Sequence, residues 1–430
     1  MMERASPHVD VRMRGFPGRT DVDQVTRLVR ELARPLDAER VPLDAAAGRV
    51  LAGDVVAAVS VPGFARAAMD GYAVRGQHTF GASDYNPLSF RVIGEAMPGR
   101  PFSGTVGTGE AIRIMTGAPL PPGADAVVMA EYASESEGPA GPVVAVTEPE
   151  PPGRNVGQIA EDIVAGQVLL HAGRVLRPQD VGALASVGVA EVSVVRRPVV
   201  RLVITGDELL PPGSMPTGSK IVDSNSLMLD ALVWRDGGIP RRNAIVPDRR
   251  EAVEAVLSDP AGDLLLVSGG SSVGAEDYAP MVVAERGELI VHGVAMRPAS
   301  PTGVGRLGHR LVFLLPGNPV SCLSAYDFFA GPAIRLLGGR SAAWPHRTVR
   351  APLSSKIASA VGRVDYVRVR LTPIGEAEPL AISGASILSS TTRADGFVIV
   401  AKDNEGHAPG EEVTVYLYDW APVARVTPEQ

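Results

Sequence analysis

The 430-residue chain contains a single cysteine, Cys322. One thiol allows no intramolecular disulfide and no thiolate metal cluster, which suits a reducing compartment and points to a cytoplasmic protein. Lysine is nearly as scarce. Lys220, Lys356 and Lys402 are three of 41 basic residues, so arginine supplies 41 − 3 = 38, a bias read as base composition rather than guanidinium chemistry. The formal charge of −7 leaves no basic surplus to coat nucleic acid or a membrane surface, which argues against both as partners. No window approaches ~18 uncharged apolar residues, so no spanning helix is expected. The opening "MMERASPHVDVRMRGF" likewise lacks the apolar segment of a secretory signal. His8, His78, His171, His292, His309, His346 and His407 stand singly, without the short spacing of a metal-binding pair, so no zinc site is expected.

What is present is globular: 45% hydrophobic and 21% charged residues. The length exceeds one ordinary core and predicts roughly three domains of ~150 residues. Gly 47 plus Pro 37 makes 84 residues, about a fifth of the chain, which implies many turns and short strands. In "DVDQVTRLVRELARPLD" the apolar positions Val22, Val25, Leu28, Val29 and Leu32 have a helical period closed by Pro35, predicting a helix over 21–33. From about Val41 to Val195, short Val-, Ile- and Ala-rich runs alternate with "PG", "GAP" and "PPG", predicting a β-rich region in two small modules. After Arg197 the strings "VVRLVIT", "NAIV", "DLLLV" and "HRLVFLL" are each followed by a turn and a helical stretch. That alternation predicts βαβ crossovers and a parallel sheet. Strands return after about Trp344 in "DYVRVRL", "GFVIV" and "EVTVYLYDW".

Chemistry concentrates where the α/β strands end. The turns carry Asp207 and Glu208 ("GDEL"), Asp248 ("PDRRE"), Asp277 ("SGGSSVGAED") and Asn318 ("PGNPVS"). In an open parallel sheet, ligands bind outside the carboxyl ends of the strands, so these turns aim their acids at one crevice. Gly269, Gly270 and Gly274 let backbone N–H groups approach a ligand, and Ser268, Ser271 and Ser272 add hydroxyls, a pattern suited to phosphate. Glu208, Asp248 and Asp277 are then candidate Mg²⁺ ligands or water-positioners, because hard Mg²⁺ takes one or two carboxylates together with phosphate oxygens. Each feature also has a purely structural reading. A Gly/Ser turn is often a tight connection, an acid opening a helix is often its N-cap, and Pro319 suits a helix's first turn. Cys322 reads as a small core residue. By spacing alone, "AAMDGYAV" and "IRIMTGAPLPPGADAVV" are hairpin turns.

Taken together, "AMDGYAV", "IRIMTGAPLPPGADAVV", "TGDEL", "VDSNS", "VSGGSSVGAEDY" and "LPGNPVS", ordered from Ala68 to Ser321, resemble the molybdopterin molybdotransferases, the MoeA and gephyrin E-domain family. The resemblance implies a multidomain α/β plus β fold whose central Rossmann-like domain (196–340) is built of parallel strands. Around it come an N-terminal helix (21–36) packed on that domain, a linking domain (37–56 and 161–195), a β-rich domain (57–160) and a C-terminal β-barrel-like domain (345–426). It implies a homodimer whose clefts combine the α/β domain of one subunit with the "MDGYAV" domain of the other. Molybdate is inserted into the dithiolene of adenylylated molybdopterin, and Mg²⁺-dependent cleavage releases AMP. Molybdopterin adenylyltransferase and recipient molybdoenzymes are the implied partners.

Carried over position by position, Asp70, Thr116, Glu208, Asp248 and Asp277 are catalytic, and Glu208 and Asp277 hold the metal. Asp223, Ser224, Ser268, Gly269, Gly270, Ser271, Ser272, Arg297, Ser300, Pro316, Gly317, Asn318, Pro319 and Arg368 bind substrates. The chain also departs from the family pattern. "RPASP" replaces a "KPGKP"-like basic loop and puts Ser300 at the second lysine, "FARAA" lacks an Asp-Asn-Ser, and "GQIAED" lacks arginines. Ala385 stands where serine is frequent. Those changes raise two alternatives: a molybdopterin-binding scaffold weakened in turnover, and a variant preferring tungstate. An unrelated nucleotide enzyme is disfavoured by the lack of a strand-adjacent GxGxxG or P-loop. The scaffold is disfavoured because all four carboxylates remain. AMP release from adenylylated molybdopterin separates it from the enzyme.

Overall fold

A computed structural model describes residues 16, 18–270, 277–381 and 384–418. These residues form two compact units, the smaller made of 40–47 and 53–192 and the larger of the described residues in 1–39, 48–52 and 193–430. The expected first helix is present as α1 (Val22–Leu32), with Val22, Val25 and Val29 buried. Its N-terminus is closed by the Asp21 carboxylate, which accepts from the Asp23 and Gln24 backbone N–H groups at 2.9 and 3.3 Å.

In the smaller unit the Val/Ile/Ala runs become β1 (Gly71–Val74), β2 (Leu88–Ala96), β3 (Glu110–Ile114), β4 (Ala126–Met129), β5 (Ala133–Gly138) and β6 (Gly141–Val146). They form one sheet in the order β4-β1-β3-β2-β6-β5, antiparallel except for β2 beside β3. The unit also contains a helix that the β-rich reading missed, α2 (Pro178–Ser186). Its signal was Pro178 at the first helical position followed by Asp180, whose carboxylate accepts from the Arg177 backbone N–H at 2.9 Å.

The larger unit is built on β7 (Val199–Ile204), β8 (Ile239–Arg242), β9 (Leu264–Ser268), β10 (Glu288–His292), β12 (Gly303–Leu307) and β13 (Arg310–Leu315), with β11 (Met296–Arg297) belonging to a second sheet. The order is β8-β7-β9-β13-β12-β10. Strands β8, β7, β9 and β13 are parallel as expected, but β12 and β10 run antiparallel beyond β13, so the sheet is mixed. The expected strand "NAIV" is displaced. The assigned strand is "IPRR", and past it Asn243 and Val246 only continue the hydrogen bonds irregularly to Leu202 O (3.0 Å) and Ile204 O (2.8 Å). Pro240 is tolerated there because β8 is the edge strand.

Alternation then explains the burial. Val200, Leu202, Ile204, Leu264, Leu266, Leu311, Phe313 and Leu315 face one side, in one core with α1, α3 (Asn225–Arg235), α6 (Pro319–Ala325) and α7 (Gly331–Leu337). Val203, Leu265, Val267, Val312 and Leu314 face the other, against α4 (Arg250–Ser258) and α5 (Ala279–Arg286). The second sheet follows the order β11, β15 (Val364–Leu371), β17 (Gly396–Val400), β18 (Glu412–Leu417), β14 (Thr348–Pro352), with β16 (Ala377–Ala381) beside β15.

Two substitutions probe this architecture. At Gly269 (φ +95°) an added Cβ would lie 2.3 Å from the Thr205 carbonyl oxygen, whereas at Gly213 (φ +92°) it would meet nothing within 4 Å. Gly213→Ala therefore carries backbone strain alone, about 1 kcal/mol. Gly269→Ala must also displace a strand end, and calorimetry should show it lowering the melting temperature by several degrees more. In the smaller unit, hydrogen bonds from Arg174, then from Arg177, hold the Asp180 carboxyl well below the usual carboxylate range despite its burial. A carboxyl depressed in the folded state stabilises above its unfolded pKa of about 4, and that contribution is lost as pH falls through the folded value. The melting deficit of Asp180→Asn should accordingly be largest near neutrality and shrink below about pH 4.

Candidate active site

Four parallel strands ending at one edge bring their following turns together. The turns after β7, β9 and β13, the Asp248 turn beyond β8 and the start of α3 line a cavity of about 810 Å³. Of the residues singled out in the sequence, Glu208, Asp223, Ser224, Asp248, Ser268, Gly269, Gly270, Asp277, Pro316, Gly317, Asn318 and Pro319 all border it. Ser271 and Ser272 lie outside the described residues. Gly317 stands beside Gly269: a Cβ there would make an ordinary 3.5 Å contact with the Gly269 Cα. Pro319 occupies the first turn of α6. Cys322 on that helix is fully buried, with its thiol pushed up to about 12 by desolvation, and it takes a 3.7 Å contact from Ser268 Oγ, as a core residue does.

The described lining carries Glu208, Asp223, Asp248 and Asp277 and no Lys, Arg or His. Asp248 and Asp207 cross-link the turns after β7 and β8: the Asp207 N–H donates to the Asp248 carboxylate at 3.0 Å, and the Asp248 N–H to that of Asp207 at 3.2 Å. Burial, reinforced by the negative charges of Glu208 and Asp207, raises the Asp248 carboxyl above the usual range against the pull of that N–H. Asp223 is buried and accepts from the Ser226 N–H at 3.0 Å, so its carboxylate anchors the start of α3. Among the described residues no three His, Cys, Asp or Glu side chains form a complete metal site. The carboxylates of Glu208, Asp248 and Asp277 in the lining are hard oxygen donors only. The set fits a Mg²⁺ that takes one or two carboxylates and completes its shell from substrate and water, and it does not fit a soft metal.

A second cavity, of about 730 Å³, shares Pro301, Pro316 and Asn318 with the first. Its character is opposite. Arg297, Ser300 and Arg368 border it as the sequence suggested, joined by Arg19 and Arg363, and no carboxylate appears in the described lining. Arg368 is completely buried, and desolvation lowers its pKa. Ala299, in the middle of the "RPASP" loop, adopts φ +88°, a left-handed conformation unusual for a residue with a Cβ.

Asp70 and Thr116 belong to the smaller unit, where they meet each other. Exposed Asp70 Oδ1 accepts from the Thr116 N–H at 2.6 Å and from its Oγ1 at 2.7 Å. These two bonds hold the Asp70 carboxyl below the usual range, so it is ionised at neutral pH. The strings "MDGYAV" and "MTGAP" are thus one substructure at the ends of β1 and β3.

Sequence reasoning passed over Asn225, which ties the acidic cavity together. Its Nδ2 donates to Ser268 Oγ at 2.9 Å and to the Gly317 carbonyl at 2.7 Å, and its buried Oδ1 has no partner among the described residues. It lay inside "VDSNS", but nothing in that string says that its amide bridges two other strand ends.

Three family models match in succession: the MoeA N-terminal region (domain I and II) over residues 20–188, a probable molybdopterin binding domain over 201–336, and the MoeA C-terminal region (domain IV) over 350–418. The chain is 37% identical over 360 residues to molybdopterin molybdenumtransferase 2 of Mycobacterium tuberculosis, covering 81% of this chain and 87% of that protein. It is 31% identical over 400 residues to molybdopterin molybdenumtransferase of Haemophilus influenzae, covering 91% and 96%. The crystal structure of the molybdopterin biosynthesis MoeA protein from Pyrococcus horikoshii superposes with a TM-score of 0.81 at 32% identity, over 94% of this chain and all of that one. The fold matched along its length and the three ordered domains agree with the strings gathered at the strand ends: the chain belongs to the MoeA family.

Proposed function

We infer that the protein is an enzyme of molybdenum cofactor biosynthesis, a transferase that inserts molybdenum into molybdopterin, as the names of its relatives say of them. The observation that carries the reading is the pair of adjoining cavities, one lined by carboxylates and one by guanidiniums, with a neutral wall of Pro301, Pro316 and Asn318 in common. Insertion joins two anions with different needs. The phosphoanhydride of an adenylylated molybdopterin needs a metal countercharge among carboxylates and backbone N–H groups, and the oxyanion needs fixed cations. A Rossmann-like reading of the parallel strands β8, β7, β9 and β13 puts the first at the carboxyl edge, and the second sheet, read as barrel-like, borders the second cavity through Arg368.

In this reading Ser268, Gly269 and Gly270 hold phosphate oxygens, and Asn225 Oδ1 accepts from a donor on the pterin. Glu208 and Asp277 would hold a Mg²⁺, which would supply countercharge to the anhydride. Asp248 orients water toward the anhydride, whose cleavage releases AMP. Arg297, Ser300 and Arg368 hold molybdate on the far side of Pro316 and Asn318, so that the dithiolene sulfurs meet the oxyanion at the common wall. Asp70, fixed by Thr116, reaches the cleft of a partner subunit in a homodimer. The substrate comes from an adenylyltransferase, the product passes to apo-molybdoenzymes, and the unpaired buried thiol of Cys322 suits a cytoplasmic site.

Two measurements test the scheme. AMP release from adenylylated molybdopterin should fall at least ~10²-fold in chelator and return with Mg²⁺, and Glu208→Gln or Asp277→Asn should cost a similar factor; full rates in chelator would remove the metal from the reaction. For the shared cleft, Asp70→Asn and Asp277→Asn homodimers should each be nearly inactive, while subunit exchange in an equal mixture restores about a quarter of wild-type activity. A heterodimer collects both defects in one cleft and none in the other, provided each lost carboxylate costs the ~10²-fold typical of such groups. Activity that stays at the single-mutant level, with heterodimers shown to have formed, places both acids in one subunit's cleft.

A further inference from the structure

The loop Arg297–Pro301 brings a single cation to the basic cavity, because position 300 is a serine, whose buried Oγ has no hydrogen-bond partner among the described residues. Two of the other arginines in the lining are committed elsewhere or deep. Arg363 pairs with the buried Asp365, its Nε 2.8 Å from Oδ1, and Arg368 lies at the fully buried end. A doubly charged tetrahedral oxyanion held by the Arg297 guanidinium, a hydroxyl and a buried arginine would lack a cation toward solvent.

The N-terminal arm provides one. Thr20 is fixed by two backbone hydrogen bonds, its N–H donating to Gly293 O at 2.9 Å and its carbonyl accepting from the Ala295 N–H at 2.8 Å. Four residues earlier, Phe16 sets its ring edge-on against His292 with centroids 5.0 Å apart. Arg19 lies between these two anchors and borders the same cavity as Arg297 and Ser300. Neither the Arg19 nor the Arg297 guanidinium makes a hydrogen bond or ion pair with the described residues. Both therefore keep donors available to a ligand.

We propose that Arg19 is a specificity-determining residue of the oxyanion pocket, in which the anchored N-terminal arm supplies the second cation that position 300 does not. The proposal rests on the reading of this cavity as the oxyanion site. Its consequence is that the arm, rather than the loop alone, sets the preference for a dianion: Arg19 adds an exposed guanidinium to those of Arg297 and the buried Arg368, and their forked N–H groups match tetrahedral oxygens.

Isothermal titration of the intact protein with molybdate alone, at fixed ionic strength, separates the two levels. Wild type should bind, Arg297→Ala should lose binding, and Arg19→Ala and Arg19→Gln should each weaken it about tenfold or more, the scale of one charge-assisted hydrogen bond. Arg19→Lys should recover part of the loss. Arg27→Ala, which removes an equal charge from the exposed face of α1, should bind within twofold of wild type. If wild type binds but the Arg19 variants match it within twofold, or if Arg27→Ala loses as much as they do, the role of Arg19 is overturned while the cavity remains an oxyanion site. If wild type binds no molybdate, the oxyanion reading falls and the proposal with it. Arg19 is exposed, and unchanged melting of its variants separates a binding defect from a folding one.

Discussion

The acidic cavity depends on one close approach, that of the Gly269 backbone to the Thr205 carbonyl, where a Cβ would come within 2.3 Å. That crowding is a consequence of register. Ile204, Ser268 and Leu315 are paired neighbours on β7, β9 and β13, so all three strands end at one level and their turns must leave through the same space. A residue without a side chain solves the problem at Gly269, and what remains at the edge is a surface of backbone groups bordered by polar side chains. The acids, the serine hydroxyl and the Asn225 bridge are where they are because the strands stop together.

Electrostatic separation is the second device. Carboxylates and guanidiniums in contact would pair and neutralise one another, at about 4 kcal/mol for charges 4 Å apart near a protein surface. Here they line different cavities that, among the described residues, share only uncharged Pro301, Pro316 and Asn318. Each cavity keeps its unbalanced charge. On the acidic side burial, reinforced by the charges of Glu208 and Asp207, raises the Asp248 carboxyl, and on the basic side burial lowers Arg368. A chain that placed these charges for stability alone would have paired them.

Such polarised cavities need a rigid frame behind them. In the helix layer the buried Asp236 carboxylate accepts from Arg335 at 2.6 Å, from Arg235 at 2.9 Å and from the Tyr326 hydroxyl at 2.9 Å, and Arg235 also reaches buried Asp327 at 2.9 Å. Removing one member of such a buried set leaves the others uncompensated, typically at about 3–5 kcal/mol. The network joins α3, whose first turn carries Asn225 just after Asp223, to the π-helical turn Tyr326–Ala330 and to α7.

The sequence by itself determined the elements with a clear period and the strings with a mechanism. Valines three and four apart made α1, the apolar runs made β7, β9 and β13, and the acids and glycines after them were legible because the carboxyl edge of a parallel sheet is where ligands bind. Period fails where tertiary contacts override it. "NAIV" reads as a strand, yet the edge position lets the Pro-containing "IPRR" serve instead, and nothing local announced that β12 and then β10 would extend the sheet, each antiparallel to the strand beside it. Only the tertiary structure decided that Asn225 would bridge two strand ends, that Asp223 would be drawn into anchoring a helix, and that Arg19, distant from Arg297 in the chain, would border the same cavity. The reason is physical: a pattern along the chain records which face a residue shows, but which other residues share that face depends on how distant segments close around the same cavity.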